Sequence, residues 1–595
     1  MNDFRIKMTL TMISPTLSQG MEGKKLGIDT AAWLQEIIQN NNEVQKRPAL
    51  PASLIRGNLL HSWKQLAKIT ASTWISDRKI NELLGSEAES STYNPNYASL
   101  RMPDYWLAEK PIDESRLHRI TINPDTGTVK KGMLQVLEIP HPVGAEVKYS
   151  GSFEIALANN DEAEILRTKI EKAFKFIPAL GAFKGIGFGR IKSVDVDSPV
   201  LQTTDLELSI DDDDFGLEVT LDRPFCFAKP HPEQSNLFSS LDYIPGAAIK
   251  GAIARRIKQL GTPSEFVIIV DYLSQIRFTH AQPDTADGKK TRRSAIPLSL
   301  VYCDGKFFDA SLQTLNKTSE IKFQIDWKNP QWEIVTGVFR GKNVPAPEHE
   351  LRVRTKINME RNSAEDEALF SYESIKTDKH VWRSNVSLQA KDSEKSEAVK
   401  KALSKLFALG LNGLGKTRAC TQTIKINKPF PFTVGSNDLI ENRKVRLVLQ
   451  SDTLLLPPDL KIPPTNGDDE LKKAYAAAWD GLANNEHKIL VLSDYYTTQR
   501  LFGGSYFWRR FQNSSAIYKP YILTEAGSVF IFKVLDEEKA KIILAQWLQQ
   551  GLPVPKCYPN NWEKNPILPE NGYGEIQLNP NTITVCNQLN NRLPT

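Results

Sequence analysis

The order of elements repeats along this chain, and that repetition restricts the fold more than any single motif does. Arg5-Ile6-Lys7-Met8-Thr9-Leu10-Thr11-Met12 alternates polar and apolar residues and predicts a strand. A polar loop leads to Leu50-Pro51-Ala52-Ser53-Leu54-Ile55-Arg56-Gly57, where Ser53 can cap a helix carrying Leu59, Trp63 and Leu66 on its apolar face. The same order returns as a strand over 217–221, a polar loop, then Ile244-Pro245-Gly246-Ala247-Ala248-Ile249-Lys250-Gly251. The helix that follows has Ile249, Ile253, Ile257 and Leu260 on one side and stops at Gly261.

The distal halves match too. A strand over 151–157, a helix capped by Asn159 or Asn160 and Gly181-Ala182-Phe183-Lys184-Gly185-Ile186-Gly187-Phe188-Gly189-Arg190 precede a strand from Ile191. Their counterparts are a strand over 382–388, a helix with Val399, Leu403, Leu406 and Phe407, and Gly410 to Arg418, then a strand through Ile424. A fainter copy has a strand over 528–534, a helix over 537–550 and Gly572-Tyr573-Gly574-Glu575-Ile576. Strand, helix, Gly-rich turn and strand in tandem predict an α+β chain of successive modules, not one large sheet. The acidic run Asp211–Asp214 favours solvent and marks a boundary. The expected domains are 1–200, an acidic linker over 201–214, 215–433, and a C-terminal half-module over 434–595.

Length agrees with this division, since 595 residues suggest roughly three or four domains. A net charge of +5 permits a nucleic-acid partner without arguing for one. No apolar run approaches the ~20 residues of a spanning helix, and Met1-Asn2-Asp3-Phe4-Arg5 has no apolar secretory core behind it. Five scattered cysteines without CxxC give neither a disulfide framework nor a zinc knuckle. A reducing, cytoplasmic setting and no membrane partner are expected. The histidines show no HxxxH or HExxH spacing, and no GxSxG is present.

Gly410-Leu411-Asn412-Gly413-Leu414-Gly415-Lys416-Thr417 spells a P-loop. A P-loop needs a strand before it and a helix after it, so that helix amides face the phosphates. Here a helix enters and a strand leaves, so ATP is not expected. Glycine-rich turns can still bring backbone amides close to a ligand, with Lys184, Arg190, Lys416 and Arg418 adding phosphate-pairing charge. The stretch Tyr506-Phe507-Trp508-Arg509-Arg510-Phe511 can stack bases, but core packing with two exposed arginines is the favoured reading.

The segments Pro51…Arg56-Gly57 and Pro245-Gly246…Lys250-Gly251, each with its distal Gly-rich turn, resemble the RAMP superfamily of CRISPR effector proteins. That resemblance implies tandem ferredoxin-like (RRM-like) RAMP modules with insertions. Lys25-Leu26-Gly27-Ile28-Asp29-Thr30 resembles a loop of type III backbone subunits. His118-Arg119-Ile120-Thr121 through Thr126-Gly127, then Glu138-Ile139-Pro140 and Gly144-Ala145, resembles their mid-chain hairpin. Ser363-Ala364-Glu365-Asp366 and Leu369-Phe370-Ser371-Tyr372-Glu373 resemble the larger RAMP protein of subtype D. Together they read as a backbone-type subunit fused to a subtype-D protein with cap-subunit affinity. There are departures: Ala52 replaces a usual Gly, His118 a usual acid, and His141-Pro142 lengthens a loop. Asp242 lies too near its motif to be a counterpart of Asp29.

The resemblance implies a subunit of a type III effector complex that binds crRNA and target RNA beside backbone subunits and a large polymerase-cyclase subunit. It further implies target-RNA cleavage by 2′-hydroxyl attack, dependent on Mg²⁺ or another divalent cation. Asp29 is the catalytic and metal-binding candidate. Lys24 and Lys25 suit the neighbouring phosphates, Arg56, Lys64, Lys184 and Arg190 the guide backbone, and Lys250, Lys416 and Arg418 the guide's 5′ end. The alternatives are a non-catalytic architectural crRNA-binding subunit, or a guide-processing endoribonuclease with a His general acid.

Overall fold

The fold is taken from a computed structural model of the chain. It describes residues 1–19, 27–38, 44–70, 75–86, 97–113, 115–203, 207–229, 236–286, 289–303, 305–312, 321–322, 331–341, 344–358, 363–389, 392–460, 467–483, 489–512 and 517–592. Two compact units divide them: Met1–Asp205 with Lys258–Gly261 and Arg352–Ser371, and Leu206–Ile257 with Thr262–Leu351 and Tyr372–Thr595.

In the first unit, β1 (Asn2–Ile13), β2 (Leu34–Ile38) and β3 (Val44–Pro51) precede α1 (Ala52–Ile69), α2 (Asp77–Leu84) and β4 (Tyr105–Ala108). The hairpin β5 (Ser115–Ile122) and β6 (Val129–Ile139) follows, then β7 (Glu146–Leu157), α3 (Asn160–Phe176) and β8 (Arg190–Val196). The sheet order β4-β7-β1-β8, antiparallel at each step, is that of a ferredoxin-like βαββαβ module. Alternation along β1 buries Phe4, Ile6, Met8, Leu10 and Met12 together with Ile55, Leu59 and Trp63 of α1 and Leu166, Ile170 and Phe174 of α3. Each fully buried side chain of this size contributes about 1.5–3 kcal/mol. Ser62 Oγ donates to the Ala173 carbonyl at 2.8 Å and fixes one helix against the other.

Helix α1 starts at Ala52 without a side-chain cap, its boundary being Pro51, so Ser53 lies inside the first turn rather than ahead of it. Proline supplies an extended residue and no N–H, which makes a stop without a hydroxyl cap workable. Asn159 caps α3, as expected, accepting from the Glu162 amide.

The second unit holds the same topology twice. β9 (Asp214–Leu221), α4 (Gly246–Gln259), β10 (Ile276–Phe278), β11 (Val381–Leu388), α5 (Ser393–Ala408) and β12 (Thr421–Asn427) give the order β10-β11-β9-β12. The next set is β13 (Lys444–Leu449), α6 (Gly467–Leu482), β14 (Leu490–Tyr496), α7 (Ser505–Phe511), β15 (Val529–Val534), α8 (Glu537–Gln550) and β16 (Ile576–Leu578). Its order is β14-β15-β13-β16. Residues 444–578 therefore form a full module where the sequence suggested half of one. The acidic run is exposed at Asp211 to Asp213, and it is also tied to α5. Lys400 Nζ donates to the Asp211 carbonyl at 2.9 Å, Ser396 Oγ donates to Asp213 at 2.6 Å, and Asp214 opens β9.

Candidate nucleic-acid interface

Three segments meet at one end of the first module. Gly27, at φ +77°, turns the chain into 28–32, which lies along β6. The Asp29 amide donates to the Val136 carbonyl (2.9 Å), and the Val136 amide returns a bond to Asp29 Oδ2 (2.7 Å). The Glu138 amide donates to the Thr30 carbonyl at 3.0 Å, and the Ala32 amide to Glu138 Oε2 at 3.0 Å. With Ile28 and Thr30 buried on either side, the exposed Asp29 carboxylate is held on a fixed edge.

The hairpin carries that edge. Leu117, Leu137 and Ile139 at its base pack with Leu17, Ala32, Leu34 and Phe188; Arg116, opposite Glu138, is exposed at that base, and Lys130 and Lys131 are exposed further out. His118 sits opposite Val136 in the β5–β6 register, one strand away from the Asp29 loop.

The Gly-rich turn is the third part. Gly181 and Gly189 take positive φ where a Cβ would run into the carbonyls of Leu17 and Leu180, so both positions require glycine. The Gly189 amide donates to the Pro15 carbonyl (2.8 Å) and the Ala182 amide to that of Leu17 (2.7 Å). This anchoring leaves Lys184 to Gly187 exposed. The Arg119 guanidinium lies 5.6 Å from the Phe183 ring centre, joining hairpin to turn. Lys184 and Arg190 are exposed at this end.

Other candidates are placed differently. Arg56 gives its Nε to the Leu84 carbonyl at 2.8 Å and bonds Gly85 as well, so it closes the end of α2; burial lowers its pKa. Lys64 is half-buried on α1. Lys24 and Lys25 lie outside the described residues. Lys250 is 8% exposed, and burial pulls its pKa down to about 8 against the opposing charge of Glu570.

The cause is the third module. A Cβ on Gly246, the first residue of α4, would strike the Phe278 and Asn571 carbonyls, so that glycine admits the chain's own 569–575 turn. The Gly246 amide donates to His280 Nδ1 at 3.2 Å, and His280 stacks on Tyr243 (centroids 4.8 Å) and meets the edge of Tyr573 (5.0 Å). Burial brings the His280 pKa down to about 4. Arg292 clasps Glu575 through two buried bonds of 2.8 and 2.5 Å. The start of α4 is thus covered from within, which corrects the expectation that Lys250 faces a guide. A fragmentary third copy in the sequence gave no signal for that cover.

In the P-loop-like segment Lys416 is exposed, though it has contacts within the chain. The Lys416 amide donates to the Cys226 carbonyl at 2.8 Å, and its ammonium sits 3.8 Å from the Phe238 ring centre. Gly413 accepts from Arg255. Arg418 is half-buried at φ +57°. Asp242 is paired with Arg293 at 2.8 Å.

Among the described residues no group of three or more His, Cys, Asp or Glu side chains is assembled for a metal. A divalent ion at Asp29 would take its remaining oxygen ligands from water and RNA phosphate. No helix among the described residues is long and apolar enough to cross a membrane.

Residues 34–192 match the RAMP superfamily. The RAMP match runs from β2 into β8, taking in the hairpin and the Gly-rich turn, and begins after Asp29. Among solved structures, a chain of a type III-B Cmr-beta complex bound to cognate target RNA and AMPPnP is 11% identical, over 53% of this chain and 86% of that one, with a TM-score of 0.29. A chain of Cmr-beta bound to cognate target RNA is also 11% identical over the same shares, with a TM-score of 0.26. These scores carry no argument, and the reading below rests on the RAMP match and the module geometry. A search of curated proteins found no match.

Proposed function

We propose that the chain is an RNA-binding subunit of a type III CRISPR effector complex, holding crRNA and target RNA at the end of its first module. The observation that carries this reading is the convergence of the Asp29 edge, the β5–β6 hairpin and the Gly-rich turn within or beside the RAMP-matched segment. Exposed cations at Arg116, Lys184 and Arg190 lie on these segments, with Lys130 and Lys131 further along the hairpin, and suit a phosphate backbone, which dominates nucleic-acid affinity. Partners in this reading are backbone subunits and the large polymerase-cyclase subunit, in the cytoplasm. The chain itself is a backbone-type subunit fused to a subtype-D RAMP protein.

Cleavage of target RNA at Asp29 is part of the proposal. The 2′-hydroxyl attacks the adjacent phosphorus, the P–O5′ bond breaks, and the products are a 2′,3′-cyclic phosphate and a 5′-hydroxyl. Asp29 takes the hydroxyl proton, the Val136 amide fixes the carboxylate while it does so, and the departing O5′ takes a proton from water. Asp29 would be the protein ligand of a divalent cation, which would supply charge for the phosphate oxygens. Positioning the ribose in line is the task of the hairpin and turn. The test is target-RNA cleavage by the assembled complex with and without Mg²⁺. Asp29→Ala should erase one set of products and keep RNA bound; an unchanged ladder means that the subunit is architectural.

A further inference from the structure

The third module carries a surface that the first-module reading does not use. Helix α7 packs inward through Phe507, which joins Leu454, Tyr521, Leu523, Tyr558 and Ile567 in a core, with Phe511 at its margin. Its other face presents Tyr506, Arg509 and Arg510, at the i, i+3 and i+4 spacing that shares one side of a helix. Tyr506 is 58% exposed, and Trp562, on the turn beside the helix, is 56% exposed. The Arg510 guanidinium lies between two rings, 5.2 Å from the Phe511 centre and 6.0 Å from that of Trp562.

The segment 517–519 runs along the same helix. Gln512 Oε1 accepts from the Lys519 amide at 3.2 Å, and the Gly504 amide donates to the Tyr518 hydroxyl at 2.7 Å. Tyr518 and Lys519 are both exposed.

We infer that this face is a stacking platform for single-stranded nucleic acid. Exposed rings at Tyr506, Tyr518 and Trp562 offer flat apolar area. A guanidinium already seated between two rings prepares the site for a planar base. Arg509, Arg510 and Lys519 bring positive charge to the rings, and Glu563 beside Trp562 is the acidic neighbour in sequence. That balance favours a polyanion over an apolar protein face. Sequence-tolerant binding follows, because every base has a π-face and stacking does not read base edges. The inference rests on module three alone and does not require the first-module reading.

The test uses the full chain with 12-mers of RNA and of DNA carrying 5-iodouridine, and maps photo-crosslinked residues by mass spectrometry. Crosslinks at Tyr506 or Trp562 are expected, with the RNA and DNA arms identifying the strand bound. Affinity for the same probes should fall about tenfold in a Tyr506→Ala/Trp562→Ala variant and within about twofold in Trp562→Phe, which keeps a ring. Both variants should unfold at the wild-type temperature, since the side chains are exposed. Crosslinks confined to 115–139 and 181–190 would overturn the inference. So would protection of 505–511 and 562 by a protein subunit with no nucleic acid present. Charge reversal at Lys184 and Arg190 should leave the Trp562 crosslink in place, so failure of one site is distinguishable from failure of the other.

Discussion

His280 is a neutral imidazole enclosed by its own chain, 3% exposed, accepting from the Gly246 amide between two tyrosines. Its pKa of about 4 lies below the unfolded value near 6.5, so the unfolded chain binds more protons between those two pH values. Stability of the second unit should therefore fall as pH drops through that window, by about 2 kcal/mol between pH 7 and pH 5. Urea unfolding followed by tryptophan fluorescence measures this, and His280→Asn should remove that share of the dependence. Gly151 makes a steric prediction: a Cβ there would enter the Trp106 indole, so Gly151→Ala should lower the first unit's stability by about 1–3 kcal/mol in the same assay. At this scale residue type alone misled for Lys250 and Arg56. Both are basic residues at motif positions, yet carbonyls, burial and Glu570 take them up. The exposure of Lys184 follows from a turn anchored by Gly181 and Gly189 on its two sides, whereas Arg190 lies past that anchor at the start of β8.

The Gly-rich turn and the hairpin are elements whose shape the backbone enforces. Gly189→Ala would place a Cβ against the Leu180 carbonyl at a positive φ. This should loosen the turn and weaken RNA binding at module one without unfolding β1 or β7, as read by hydrogen exchange over 181–190. In the hairpin, Lys130→Glu with Lys131→Glu should flatten the salt dependence of RNA affinity by about 1.4 in log–log slope. The first strand, the two main helices and the last two strands of each of the first two modules were readable from alternation and 3.6-residue spacing, whereas β4 and β10, only four and three residues long, carry too little pattern to show. Module three hid its first half for physical reasons. α6 opens on Gly467-Asp468 with no Pro-Gly signature. β14 is the mixed run Leu490-Val491-Leu492-Ser493-Asp494-Tyr495-Tyr496, half-exposed and bulged against β15.

Across the whole chain one strand order recurs three times among the described residues, and the copies have diverged in use. The first leaves its Gly-rich turn and hairpin exposed, the second has the start of α4 covered by the third, and the third presents an aromatic face of its own. A net charge of +5 conceals this, because Lys400 neutralises part of the acidic run while cations gather at the module-one end. Repetition in sequence shows shared topology; which copy stays open depends on packing between modules, which periodicity does not encode. The central claim is RNA binding at that end of the first module. Its most direct measurement is the affinity of the full chain for a crRNA-length single strand across a salt series, wild type against Lys184→Glu/Arg190→Glu. The account predicts binding at least about tenfold weaker and a salt slope lower by about 1.4. Unchanged affinity and slope would contradict it.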